Sequence, residues 1–318
     1  MISRAALLWI SLLFPVALAA PLSLNIFDSG STSTSTPTAI SKDTVQAQFL
    51  RPAQFSRVAY CSSEAVTSWT CGAPCESLGG GVKVLQAGGD DGLIPMYFVA
   101  HDPATESIIV AHQGTEKSSV LSILNDVQIQ LVGLNSTRFP DANEDIKVHD
   151  GFQKTFERTA DGMLEAVRTG LESTGTNKVL VTGHSLGAAV ATLDAVFLKQ
   201  NLEPSVEVTT TLFGLPRGGN QEWADFVDSK LGSTFTHISN QNDPVPTVPP
   251  RFLGYQHPAG EVHIKAVDAD GEATDIVACG GQENENCSEG NSVLNVSIDN
   301  HAGPYLGNIS FGGKFCPL

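Results

Sequence analysis

The stretch Lys178-Val179-Leu180-Val181-Thr182-Gly183-His184-Ser185-Leu186-Gly187-Ala188-Ala189-Val190-Ala191 runs from β-branched residues, through two glycines around one serine, into a run of small residues. Val179, Val181 and Thr182 favour a strand, whereas Leu186, Val190, Leu193, Val196 and Phe197 recur at helical spacing. A strand turning sharply into a helix at a glycine-flanked serine is a nucleophile elbow. The glycines admit a strained turn that lifts the hydroxyl above the sheet edge, and the positive end of the helix faces the place where an oxyanion would develop. A surface serine in a glycine-rich loop would explain the pentapeptide alone, but not the strand and helix on either side.

Outward from the elbow, strands and helices alternate. Met96 to Ala100 and Ser107 to Ala111 read as strands joined by the turn His101-Asp102-Pro103-Ala104. A long helix from about Phe152 to Ser173 carries Phe152, Phe156, Met163, Leu164, Val167 and Leu171 on one side. After the elbow come a strand at Val206 to Phe213, a helix at about Asn220 to Leu231, and strands at Phe235 to Ser239 and Glu261 to Val267. This order predicts a mostly parallel central sheet with helices on both faces, and with the nucleophile elbow the expected class is the α/β-hydrolase fold.

The chain has 318 residues, enough for one large α/β domain. Residues 1–19 read as a secretory signal, with Arg4 before an apolar run that is broken by Pro15 and ends in Ala17-Leu18-Ala19. Residues 20–42 include Ser31-Thr32-Ser33-Thr34-Ser35-Thr36-Pro37-Thr38, whose composition suits a linker, a glycosylated tail or a removable propeptide. Residues 43–318 form the expected catalytic domain, opening with a helical pattern through Val45, Phe49, Phe55, Val58 and Ala59 that Arg51-Pro52 kinks. No later apolar run is long enough for an integral membrane segment, so the mature product is expected to be soluble; a monomer is expected as well. The net charge of −16 argues against nucleic acid or anionic membrane surfaces as partners.

Six cysteines in a chain with an export signal suggest three disulfides. Cys71–Cys75 and Cys279–Cys287 are close enough in sequence for short loops, which leaves Cys61–Cys316 to tie the first helix to the C-terminus. A zinc site is the alternative use of such spacings, but no neighbouring histidines complete one, and no metal is expected. Sequons at Asn135, Asn295 and Asn308 are glycosylation candidates; a fourth at Asn286 has Cys287 in its middle position.

A serine hydroxyl becomes a nucleophile when an imidazole takes its proton, and a carboxylate must orient that imidazole. In this fold class the acid and then the histidine follow the serine. Asp243 stands in Asn240-Gln241-Asn242-Asp243-Pro244-Val245-Pro246, a proline-stiffened loop after a strand. Asp225 and Asp228 fall on a helix, and Asp268, Asp270 and Asp275 in an acidic flexible loop. Among eight histidines, chain order removes His112, His149 and His184, while His237, His257 and His263 read as structural. His301, in the late loop Asp299-Asn300-His301-Ala302-Gly303-Pro304-Tyr305, has the mobility and exposure expected of a base. Two backbone N–H groups would form the oxyanion hole, one on Leu186 and one on Thr115 in His112-Gln113-Gly114-Thr115.

Together these segments resemble the fungal class 3 lipases, a family of secreted triacylglycerol lipases and feruloyl esterases. The resemblance is carried by His112-Gln113-Gly114-Thr115, Val148-His149-Asp150-Gly151-Phe152, the elbow, Phe213-Gly214-Leu215-Pro216-Arg217-Gly218-Gly219-Asn220, Asn242-Asp243-Pro244-Val245-Pro246, and His301 with Tyr305. It spans about Tyr60 to Cys316 and implies a Ser185–Asp243–His301 triad with Thr115 and Leu186 as oxyanion donors. It also implies a short helical lid at 116–127, where Val120, Leu121, Ile123 and Leu124 would form an apolar face that opens at an oil–water interface. Two departures stand out: this segment has no tryptophan, and His112-Gln113 replaces an aromatic and an arginine.

The expectation is a secreted, cofactor-free serine ester hydrolase, a triacylglycerol lipase acting on lipid at an interface. A feruloyl or other soluble carboxylesterase is the nearest alternative, and a catalytically silent hydrolase fold used for binding is a remote one.

Overall fold

The computed structural model describes residues 32–89, 94–115, 129–291 and 294–316. The signal and the lid segment, with Val120, Leu121, Ile123 and Leu124, lie outside these residues. Eleven strands are described: β1 (Thr38–Ala39), β2 (Lys83–Gly88), β3 (Tyr97–Asp102), β4 (Ser107–His112), β5 (Leu131–Gly133), β6 (Lys147–His149), β7 (Lys178–His184), β8 (Glu207–Phe213), β9 (Phe235–Asn240), β10 (Glu261–Val267) and β11 (Ala273–Ala278). Nine of them form one sheet in the order β1-β11-β10-β9-β8-β7-β4-β3-β2, and β5 pairs with β6 apart from it. The centre, β4-β7-β8-β9-β10, is parallel, and the strands outside it pair antiparallel. Sheet and helices together make the α/β-hydrolase architecture.

Both faces of the sheet are covered, because strand side chains alternate. From β4, Ile108 and Val110 enter the cluster built by helices Asp150–Thr174, Leu186–Asn201 and Gln221–Leu231. Ile109 and Ala111 point the other way, onto Phe55 and Val58 of helix Arg51–Val58. That helix is preceded by a π-helical turn at Gln46–Leu50, so the chain widens its winding just before Pro52, which cannot donate a backbone bond. The elbow helix Leu186–Asn201 is buried from Gly187 through Leu198, as a helix enclosed between a sheet and two neighbours must be.

Two expectations about local structure need correction. The polar stretch before residue 43 is not all tail: Ser33 bridges to Asn284, and Thr38 and Ala39 pair with Ala278 and Val277 at the sheet edge. Backbone hydrogen bonds hold it there, and composition carries no trace of them. Asp275 belongs to β11, not to a flexible loop; the acidic turn ends earlier, where Asp268 accepts from Asp270 and Glu272 N–H groups.

The sulfurs are joined as Cys61–Cys316, Cys71–Cys75 and Cys279–Cys287. Of the sequon asparagines, Asn295 and Asn308 are exposed, whereas Asn135 is half-buried with its amide donating to Glu157 at 2.8 Å. No helix among the described residues is long and apolar enough to cross a membrane.

Candidate active site

In a parallel α/β sheet the crevice lies beyond the carboxyl ends of the strands. Registers His112↔Gly183, His184↔Phe213 and Phe213↔Ile238 bring the ends of β4, β7, β8 and β9 level. The segments that follow them carry Thr115, Ser185, Gly214 and Asp243.

Ser185 has φ 60° and ψ −129°, a conformation that side chains rarely adopt, and it is buried. Its N–H donates to Phe213 O at 2.9 Å, which pins the turn to the end of β8. Ser185 is also the N-cap of the elbow helix, yet its side chain makes no capping bond. The N–H groups of Leu186 and Gly187 therefore have no side-chain partner from the cap at the positive end of the helix, while Ala188 N–H donates to Ser185 O at 2.9 Å.

Gly114 lies against this turn. A Cβ there would collide with His184 O and Tyr60 Oη and sit 2.9 Å from the Ser185 Cβ, so only glycine lets the loop approach. Gln113 fixes the same loop from its other side. Its N–H donates to Met96 O at 2.8 Å and its Oε1 accepts from Met96 N–H at 2.9 Å. Thr115 follows, partly exposed.

Asp243 sits one tight turn after β9, with its N–H donating to Asn240 O at 3.0 Å and its Oδ1 accepting from Val245 N–H at 2.8 Å. Its Oδ2 lies 2.8 Å from His301 Nδ1. His301 does not occupy a mobile, exposed loop: it lies in the short helix Ile298–Ala302 and is 1% exposed. The physical reason is the enclosure of its ring. Gly214, at φ +55°, lies so close that a Cβ there would be 2.8 Å from His301 Cε1, and the His184 ring stands 4.4 Å away between centroids. His301 Nε2 is buried and has no hydrogen-bond partner among the described residues. Phe213-Gly214 thus joins the two halves of the site, with Phe213 O holding Ser185 and Gly214 seating the imidazole.

Chain order removed His184 from the candidates, but it supports His301. Its Nε2 contacts His301 O at 2.8 Å and its Nδ1 contacts Tyr60 Oη at 2.6 Å. Burial, followed by the neighbouring His301, holds its pKa well below the usual imidazole value. Tyr305 closes the other side, its hydroxyl donating to His301 O at 3.3 Å, with its pKa pushed well up by burial and then by the Asp243 charge.

A second buried group braces the loop after Asp243. Arg217 Nη1 donates to Thr247 O at 2.6 Å and Pro249 O at 3.0 Å, while its Nε and Nη2 grip Glu283 at 2.7 and 2.9 Å. Burial pushes the Glu283 carboxyl up, but Arg217 outweighs it and the pKa falls to about 2. His257 N–H also donates to Glu283 at 2.6 Å, and its ring Nε2 lies 2.8 Å from Pro246 O. His257 is held at about 4, chiefly by burial. Sequence reasoning missed this brace; its only trace was the motif position of Arg217. Glu261 approaches Cys279 and Cys287, but those sulfurs are bonded to each other, and Glu261 accepts from Ser239 Oγ and Ser288 N–H, which makes a poor metal set.

Comparison with known proteins places this arrangement in context. The profile "Lipase (class 3)" matches residues 109–253. The secreted mono- and diacylglycerol lipase LIP2 of Malassezia restricta is 34% identical over 199 residues, covering 63% of this chain but only 61% of that protein. The chain thus spans about three fifths of the length of the first relatives it matches. The secreted mono- and diacylglycerol lipase MDL2 of Malassezia globosa is 34% identical over 259 residues, 79% of this chain and 80% of that one. Among solved structures, the Lip2 lipase of Yarrowia lipolytica superposes with a TM-score of 0.76 at 27% identity, covering 89% of this chain and 98% of its own. The chain belongs to the class 3 lipase family.

Proposed function

We propose that the protein is a secreted serine ester hydrolase that cleaves acylglycerols, with triacylglycerols as its substrate class. The observation that carries this reading is the Asp243–His301 pair at 2.8 Å, whose Nε2 is buried without a partner among the described residues, with the imidazole seated on Gly214 next to Phe213, whose carbonyl holds the strained Ser185 turn. His301 Nε2 takes the Ser185 proton as Oγ attacks the ester carbonyl, and Asp243 fixes the tautomer and stabilises the imidazolium. The N–H groups of Leu186 and Thr115 receive the oxyanion. His301 then protonates the departing alcohol, and water, activated by the same imidazole, releases the fatty acid. Nothing in these steps requires a metal or an organic cofactor.

The names of the Malassezia relatives favour a second reading, in which mono- and diacylglycerols are preferred. Rates on triolein, diolein and monoolein emulsions, with methyl ferulate as a soluble comparison, separate the readings. Triolein cleavage at a rate comparable to diolein supports the first, and cleavage confined to the partial glycerides supports the second. Methyl ferulate as the fastest substrate would overturn both. The apolar residues in the sequence at 116–127 are proposed as the lid, and a rate increase as tributyrin passes its solubility limit is its expected signature.

A further inference from the structure

Asp194 is the one charged residue in the buried run Gly187–Leu198 of the elbow helix, and it is fully buried. A carboxylate there costs stability unless something answers its charge. The group that faces it is His112, also buried, whose Nε2 lies 2.6 Å from Asp194 Oδ2. The approach is off the line of a directional hydrogen bond, and neither Asp194 oxygen has another partner among the described residues. The Tyr97 ring stacks on His112 at 5.6 Å between centroids and 15° between planes, and its hydroxyl accepts from Gln86 Nε2 at 2.7 Å. The imidazole is therefore clamped between a carboxylate and an aromatic face.

Where this pair sits gives it a role. His112 ends β4, two residues before Gly114, and Asp194 lies on the helix that begins at the nucleophile. The backbones of the two elements meet at Gly187, where a Cβ would strike His112 O and stand 2.6 Å from Gln113 O. The backbone contact limits how near the loop comes to the helix. We propose that His112 and Asp194 are positioning residues that hold the Gly114-Thr115 segment in register with Leu186, and so set the spacing of the oxyanion donors. The proposal rests on the reading of Thr115 and Leu186 as those donors.

The test uses the full-length secreted protein carrying Asp194→Asn, Asp194→Glu or, as a control, Thr192→Val. Thr192 is buried on the same helix, but its hydroxyl donates to Ala188 O within the helix. Active sites are counted with a phosphonate ester, kcat and KM are measured on soluble p-nitrophenyl butyrate, and inhibition by an alkylboronic acid reports the tetrahedral state in the hole. Asp194→Asn should lower kcat per titrated site about 30-fold, leave KM within about threefold, and weaken the boronic acid by the same factor as kcat. If the Asn variant fails to fold, Asp194→Glu carries the test, since it keeps the charge but displaces the carboxylate by one methylene, and the same split is expected. Thr192→Val should shift Tm with kcat and boronic acid affinity within about twofold. Lowered Tm with kcat within about threefold of wild type in the Asp194 variants would overturn the proposal. Failure of the phosphonate to label wild type would instead overturn the active-site reading beneath it.

Discussion

Replacing Asp243 with asparagine tests the triad through a single proton. In the native site Oδ1 accepts from Val245 N–H and Oδ2 accepts from His301 Nδ1–H, both at 2.8 Å. Asparagine offers one oxygen and one NH2 for these two donors. If the NH2 faced Val245, two N–H groups would oppose each other at a position 1% exposed, at a cost of about 1–3 kcal/mol. The oxygen therefore stays on Val245, and the NH2 turns to His301. Nδ1 must then accept, which moves the ring proton to Nε2 and leaves no base for the Ser185 hydroxyl. The expected loss in kcat is roughly 10⁴-fold, about 5.4 kcal/mol at 1.36 kcal/mol per decade. Asparagine fills almost the same volume, so circular dichroism and Tm should stay close to wild type. Initial rates on p-nitrophenyl butyrate, normalised to folded protein, provide the measurement. Activity within about tenfold of wild type would show that Asp243 does not orient the base, and the assignment would fall.

Other consequences are equally open to measurement. Gly114→Ala drives a methyl group against His184 O and Ser185 Cβ; it should cost about 1–3 kcal/mol and lower kcat, and unchanged urea unfolding would show that the loop is less tightly placed. Arg217→Met leaves Glu283 buried without its cation and should cost about 3–5 kcal/mol, with kcat reduced in the surviving folded fraction because Thr247 and Pro249 lose their brace; a stable, fully active variant would contradict this. Burial depresses the pKa of His149, His184, His237, His257 and His263. Each binds a proton more readily unfolded than folded, so their contribution is complete above about pH 6.5 and is lost as pH falls toward the folded values. The raised carboxyls of Asp228 and Glu289 act in the opposite sense but are fewer. Urea midpoints should therefore decline from about pH 7 to about pH 5, and a rising midpoint would contradict the histidine account.

The elements that could be read from sequence were those whose periodicity is strong. Helices Asp150–Thr174 and Gln221–Leu231 and strands β3, β4, β7, β8 and β9 match their expected spans within a few residues, because each carries a core-facing pattern of its own. What sequence missed takes its shape from pairing and not from a pattern of its own. Strands β2 and β11 are half-polar, and β1 is two residues long; each forms by pairing with a neighbour. The same division runs through the site. Ser185 and Asp243 stand in segments whose turn chemistry is local, whereas His301 was read as exposed because its cover comes from Gly214 and His184. The His184–Tyr60 support and the Arg217–Glu283 brace join residues far apart in sequence, and no local pattern reports them. Asp194 did leave a signal, a lone carboxylate in an apolar helix, though its partner became visible only in three dimensions.

The central claim is that Ser185 is a nucleophile activated by His301. Incubation of the secreted protein with an alkyl phosphonate ester, followed by tryptic mass spectrometry, tests it most directly. The account predicts a single stoichiometric adduct on the peptide containing Ser185, no adduct in Ser185→Ala, and adduct formation slowed by orders of magnitude in His301→Ala. An unlabelled wild type, or an adduct that persists in Ser185→Ala, would contradict it.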